Sequence, residues 1–289
     1  MRISFDSERS SAGEAGCRKW ARMTFLRLQD HPIGPLCQPP TPYPHRFAWA
    51  TRQREPVLAV TGLALEARLA AGPGVTTIMA GGNPARLRSL LRTRVRPDCR
   101  AVISVGIAGG LDPSLVPGDV IVATGIAAPD RRHAASLVVA QRLAARLSSH
   151  PKRVILADLA GVESAVMSPG EKRALRMTTG ALAVDMESHV AAAFAARHGL
   201  PFAAVRVVCD PAHRALPDLV STALRPDGEL CLSSVIRSLW QRPLQLLAMP
   251  SLAHDAAEGF RALRRCRELL GYGFGMHDHD ETSEIEAQA

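Results

Sequence analysis

The segment Ala183–Pro211, AVDMESHVAAAFAARHGLPFAAVRVVCDP, leaves little freedom in how the chain around it folds. Val190, Ala193, Phe194 and Arg197 recur at helical spacing, which predicts a helix over Ser188–His198. Gly199 supplies the left-handed stop that helix ends favour, and Pro201 keeps the helix from resuming. Phe202–Cys209 is then a short, Val-rich apolar run, the pattern of a buried strand. Asp210 stands just past it, where α/β sheets collect their ligands. Asp185 and Glu187 bracket Met186 at the other end of the unit. Each acid also has a purely structural explanation. An Asp after a strand can form a turn or cap the next helix, and a first-turn Glu is favoured by the helix dipole.

Upstream, Val57–Thr61 predicts a first strand closed by Gly62, with Glu66 and Arg68 following. Gly72-Pro73-Gly74 marks a turn, Val75–Met79 a second strand, and Pro84 the first turn of a helix running through Leu91. Ala80-Gly81-Gly82 precedes that helix, a place where backbone N–H groups can face an anion. Ala101–Val105 predicts a third strand that exits into Gly106-Ile107-Ala108-Gly109-Gly110. Glycines there admit close approach of a sugar or base, or simply make a tight turn. The spacing is not that of a dinucleotide-binding loop. Further strands are expected at Val120–Ala123 and Arg153–Leu159, with Gly125–His133 as a short loop. Between them an amphipathic helix over Ala134–Leu147 should bury Leu137, Ala140, Leu143 and Leu147.

Val184-Asp185-Met186-Glu187, Val208-Cys209-Asp210-Pro211-Ala212 and Gly106-Ile107-Ala108-Gly109-Gly110-Leu111, in this chain arranged along one domain, resemble the nucleoside phosphorylase/nucleosidase superfamily. The general pattern is that of methylthioadenosine/S-adenosylhomocysteine nucleosidases; a narrower resemblance is to the bacterial hopanoid-associated phosphorylase group. The similarity covers roughly Val57 to Arg225. It implies a three-layer α/β/α fold with a central mixed β-sheet and a helical C-terminal region. It also implies roles: Asp210 as the acid that protonates the leaving purine, Glu66 as the base that activates water, and Glu187 as the partner of the ribose 2′-hydroxyl. Met186 would pack on the sugar, Ala108 and Gly109 would floor the pocket, and Ala165 and Val166 would lie beside the purine, where relatives commonly carry an aromatic. Arg68 and Arg86 are the residues that would hold phosphate in a phosphorylase; as residues alone they are equally well solvated helix-face charges. No cofactor or metal is implied.

Composition bears on partners. The formal charge is +8, yet aromatics are only 4% of 289 residues and no nucleic-acid-binding motif is present, which argues against a nucleic-acid partner. The six cysteines are scattered without metal-ligand spacing, in keeping with reduced thiols in a cytoplasmic enzyme. Residues 1–55, crowded with prolines from Pro32 to Pro44, read as a disordered N-terminal extension; residues 56–270 form the catalytic domain, and 271–289 a flexible acidic tail. Val235, Leu239, Trp240, Leu244, Leu246 and Leu247 are an apolar stripe, either core packing or the mouth for a lipid-linked substrate with peripheral contact at the inner membrane. His277 and His279 alternate with acids but lack a second ligand pair.

The resemblance therefore implies cleavage of a purine N-glycosidic bond. The narrower form is adenine release from adenosylhopane. The alternatives are hydrolysis or phosphorolysis of a small nucleoside such as methylthioadenosine, S-adenosylhomocysteine or adenosine, and a purine-binding module without catalysis. Relatives commonly form homo-oligomers.

Overall fold

The structure, a computed structural model, describes residues 56–216 and 249–276. Residues 1–55, the stripe from Val235 to Leu247, and His277 and His279 lie outside the described residues. Strand β1 (Val57–Thr61) pairs in parallel with β2 (Val75–Met79) and β3 (Val102–Gly110). Strands β4 (Val120–Ala127), β5 (Arg132–Ala134), β6 (Val154–Gly161), β7 (Ala183–Asp185) and β8 (Phe202–Asp210) complete a mixed sheet. β8 lies between β3, to which it is parallel, and β4, to which it is antiparallel. β3 also pairs with β7, β7 with β6, and β6 with β4, so these five strands close on themselves. The helices are α1 (Ala64–Ala70), α2 (Pro84–Arg94), α3 (Leu137–Arg146), α4 (Pro169–Thr179), α5 (Ser188–Arg197) and α6 (Met249–Leu270). The mixed α/β architecture expected from the sequence is present. Among the described residues no helix is long and apolar enough to cross a membrane.

Strand alternation divides the core between the two faces of the sheet. Leu58, Val60, Val102, Phe202, Ala204 and Val208 share one cluster with α2 and α5, through Leu87, Leu91, Val190 and Ala191. Val57, Ala59, Ile103, Val105, Val205 and Val207 face α3 and α6, through Leu143, Leu263 and Leu270. Arg206 and Ser104 occupy the even-numbered positions of β8 and β3, so they fall on the face that α5 covers.

Four expectations are corrected. Gly106–Gly110 is not a turn after the strand but the second half of β3. Its backbone is held in the ladder with β8, and the missing side chains make room for charged groups from neighbouring elements. Gly125–His133 is not a loop: β4 continues to Ala127 and folds back through a tight turn into β5. Leu137 is 61% exposed, because α3 turns Val139, Ala140 and Leu143 inward instead. The packed chain does not end at Leu270. Residues Tyr272–Gly275 form a 3₁₀ turn that buries Phe274 against the α3 and α6 face.

Candidate active site

Arg206 sits midway along β8 with no solvent exposure. A guanidinium removed from water needs acceptors for its whole fork of donors. Here Nη2 donates to Ser104 Oγ at 2.6 Å, and Nη1 donates to the Ile107 carbonyl at 3.2 Å. Nε lies 2.6 Å from Asp185 Oδ2, and Nη2 lies 3.3 Å from Glu187 Oε2. Asp185 ends β7 and turns the chain into α5, accepting the Ser188 N–H at 2.9 Å and the Ser188 hydroxyl. The carboxylate thus starts a helix and neutralises an arginine at once.

Glu66 enters the same cluster from the first turn of α1, only 1% exposed. Its Oε2 accepts the N–H of Gly62 at 2.7 Å and of Leu63 at 2.8 Å; its Oε1 accepts the N–H of Ile107 at 2.8 Å. It is not a solvated helix-start acid. Two glycines make the assembly possible. A β-carbon at Gly62 would lie 2.7 Å from Glu187 Oε1, and one at Gly106 would lie 2.5 Å from Glu66 Oε1 and 2.6 Å from Arg206 Nη1. Three carboxylates therefore converge on one guanidinium. Burial pushes Glu66 above the ordinary carboxylate range, against the pull of Arg206 and the three N–H groups. Glu187 is pushed up to about 8 by burial, with Asp185 and Glu66 adding to the effect and Arg206 opposing it.

Asp210 closes β8 at the other end of the site. A register shift after Ala108 sets Gly109 opposite Asp210, and a β-carbon on Gly109 would meet the Asp210 carboxyl at 3.1 Å. Along β3, Gly106 and Gly109 are three residues apart, roughly 10 Å at the rise of a strand. The partner of Asp210 was not anticipated from the sequence. Lys172 of α4, fully buried, donates to Asp210 Oδ2 at 2.6 Å. Burial still raises Asp210 above its ordinary value, with the Lys172 ammonium pulling the other way. Cys209, next to it, is pushed by burial up to about 12, so it stands as a neutral thiol.

The remaining sequence candidates divide. Ala108 is buried in β3 and Gly109 half-buried beside Asp210. Met186 is half-buried between Asp185 and Glu187. Ala165 and Val166 lie half-buried in the segment joining β6 to α4, and Val166 packs against the cluster of Leu111, Ala160, Ala181 and Val184. Arg68 is exposed in the last turn of α1, where Nε donates to the Ala64 carbonyl of its own helix. Arg86 is half-buried in the first turn of α2, and its shielded Nη1 has no hydrogen-bond partner among the described residues. Arg206 and Lys172 are the residues that sequence reasoning left out of the site; Asp185 was singled out as an acid of the helix–strand unit but given no role there.

A mixed α/β sheet thus carries a cluster of acids near its strand ends, on glycines that let them approach the backbone. The family model described as the phosphorylase superfamily matches residues 52–225, and the chain belongs to that superfamily. Among solved structures, it is similar to the 5′-methylthioadenosine/S-adenosylhomocysteine nucleosidase of Neisseria meningitidis in complex with methylthio-immucillin-A. That match has 17% identity over 74% of this chain and 97% of that one, with a TM-score of 0.50. A putative methylthioadenosine nucleosidase from Weissella paramesenteroides matches at 18% identity over 73% and 98% of the two chains, TM-score 0.49. Futalosine hydrolase of Helicobacter pylori matches at 16% identity over 54% and 88%, TM-score 0.46. At such identities the likeness is one of fold. No curated protein matches the chain.

Proposed function

We propose that this protein is a purine nucleosidase, hydrolysing the N-glycosidic bond of an adenine nucleoside. The observation that carries the reading is the division of the site along β3. Glu66 lies against Gly106 and Glu187 against Gly62, both beside Arg206, while Asp210 stands over Gly109, a span suited to the sugar at one end and the base at the other. Cleavage needs a leaving purine that accepts a proton and an anomeric carbon that turns cationic. Asp210, kept above its ordinary range by burial, is the acid that protonates N7. Glu66 accepts the proton of the attacking water, and Glu187 binds the 2′-hydroxyl with Met186 against the ribose. A hydrogen bond from the 2′-hydroxyl to Glu187 that strengthens as the sugar becomes cationic favours the oxocarbenium-like transition state over the neutral substrate.

Hydrolysis is favoured over phosphorolysis by what surrounds Arg206: fully buried, it faces Ser104, the Ile107 carbonyl and two acids, which leaves it poorly placed to hold phosphate. The shielded Nη1 of Arg86 is the feature that speaks for a phosphorylase. The finer substrate assignment, adenosylhopane, rests on the narrower family resemblance and on the small side chains of Ala165 and Val166 where an aromatic would narrow the pocket. It brings with it a cytoplasmic homo-oligomer with peripheral contact at the inner membrane. Release of adenine is to be measured from adenosine, methylthioadenosine, S-adenosylhomocysteine and detergent-dispersed adenosylhopane, with and without phosphate. Adenine release without phosphate supports the nucleosidase. A free base appearing only with phosphate, alongside ribose 1-phosphate, converts the reading to phosphorolysis, and no release from any of the four overturns it.

A further inference from the structure

Lys172 comes from α4, an element that carries none of the other acidic or basic groups of the site, and yet it is fully buried. Its ammonium donates to Asp210 Oδ2 at 2.6 Å, to the Pro211 carbonyl at 3.0 Å and to the Arg214 carbonyl at 3.0 Å. Three acceptors around a nitrogen with three donors describe a charged lysine. The two carbonyls alone would staple the segment after β8 to α4, and a neutral donor would serve for that. Burying a full charge is costly unless something needs it. The group that stands to use it is the carboxyl of Asp210.

We propose that Lys172 is a positioning residue that sets the strength of Asp210 as an acid. It holds an ammonium in hydrogen-bond contact with the carboxylate that Asp210 becomes once its proton has passed to the purine. This rests on the reading of Asp210 as the general acid. In the step itself the Asp210 O–H bond breaks and the N7–H bond forms, while the electron pair of the N9–C1′ bond leaves with the base. The new carboxylate then stands as an ion pair with Lys172, and Asp210 regains its proton from solvent when adenine departs. Without Lys172, burial and the nearby Asp255 would make Asp210 reluctant to give its proton up.

The other charged or titratable groups near Asp210 do not supply the same effect. Asp255 of α6 is an anion paired with Arg214, whose Nε donates to it at 2.9 Å, and it raises Asp210 further. Cys209 is a neutral thiol, and Glu66 is tied up at the Gly62 and Ile107 amides.

The test is the pH profile of kcat for adenine release by the full chain, using whichever nucleoside the wild type cleaves, beside a nitrophenyl riboside whose leaving group departs without protonation. Lys172→Met is expected to move the alkaline limb to higher pH by about one to three units, the usual effect of removing an opposite charge at contact distance. It should slow adenine release roughly 10-fold by weakening the acid, and slow the nitrophenyl riboside far less. Lys172→Arg, which keeps a cation, should leave the limb where it is in the wild type. An unmoved limb in Lys172→Met, or equal losses on both substrates, makes Lys172 a loop staple and overturns the proposal. If Lys172→Met does not fold, wild-type protein labelled with ¹⁵N at lysine Nζ and ¹³C at aspartate carboxyls decides the matter. Ionisation of Asp210 must shift the Lys172 Nζ resonance, and a resonance blind to it overturns the proposal. Asp210→Asn keeps the two failures apart: normal adenine release by that variant removes the general acid itself, whereas a slow Asp210→Asn beside an unmoved limb removes only Lys172.

Discussion

Replacing Glu187 with glutamine should make the protein less sensitive to alkali, by an amount that follows from the acid cluster. A carboxyl that titrates near its ordinary 4.5 in the unfolded chain and at about 8 in the folded protein keeps a proton on folding through that interval. Because the folded value lies above the unfolded one, its stabilising share is complete below the unfolded value and is lost as the pH rises through the folded value. The loss is about 1.4 kcal/mol per pH unit between the two, or close to 4 kcal/mol from about pH 5 to about pH 8, a large share of the 5–15 kcal/mol typical of a domain. The amide introduced by Glu187→Gln keeps the shape and cannot ionise, so the variant escapes this loss. Urea unfolding of both proteins at several pH values in that range should show the mutant-minus-wild-type stability widening steadily with pH. A difference that stays flat or shrinks would mean that Glu187 is ionised in the native cluster, and the account of three acids around one guanidinium would fail.

Asp210→Asn should keep the fold by circular dichroism, with a lower thermal midpoint because Lys172 loses its acid partner, and slow adenine release by ~10²-fold or more. Arg206→Met strands buried carboxylates without their cation and should cost about 3–5 kcal/mol in denaturant unfolding; a mutant as stable as the wild type would show that the acids take up protons freely instead. Gly106→Ala forces a methyl group onto Glu66 and Arg206, so steady-state kinetics should show a large fall in turnover. Ser168→Ala removes the side chain that caps α4 and should lower stability by about 1 kcal/mol, read in the same unfolding assay.

The first two strands, Val57–Thr61 and Val75–Met79, fall where the sequence puts them, because short β-branched runs bounded by glycine and proline have few other fates. The helix–glycine–strand unit from Ser188 to Asp210 was equally readable, down to the left-handed Gly199 at φ 62°. α4 was missed because its only fully buried residue is a lysine, which leaves no apolar stripe to notice. Its ends were nevertheless written out, with Ser168 and Glu171 as a capping box and Gly180 as the stop. β7, three residues long, is too short for alternation to register. Asp185, Glu187 and Asp210 could be singled out as residues, but Arg206 looked like an interruption in an apolar run. Its meaning lies in partners on β3, β7 and the start of α5, which only tertiary structure brings together. The glycines of β3 misled for a related reason. Their weak strand propensity is overridden by the side chains that need the space.

Glu66 ties amides at the exit of β1 to an amide within β3, so the acid cluster has no hinge of its own. Breaking those bonds strands a carboxyl that is only 1% exposed, so opening here is costly. The amides of Gly62, Leu63 and Ile107 should accordingly be among the slowest to exchange with deuterated water. On the Asp210 side, the Leu216 N–H bonds the Met167 carbonyl at 2.8 Å and couples the segment before α4 to the one after β8. That latch, and not the acid cluster, is where exchange should quicken and where a bound purine should slow it again.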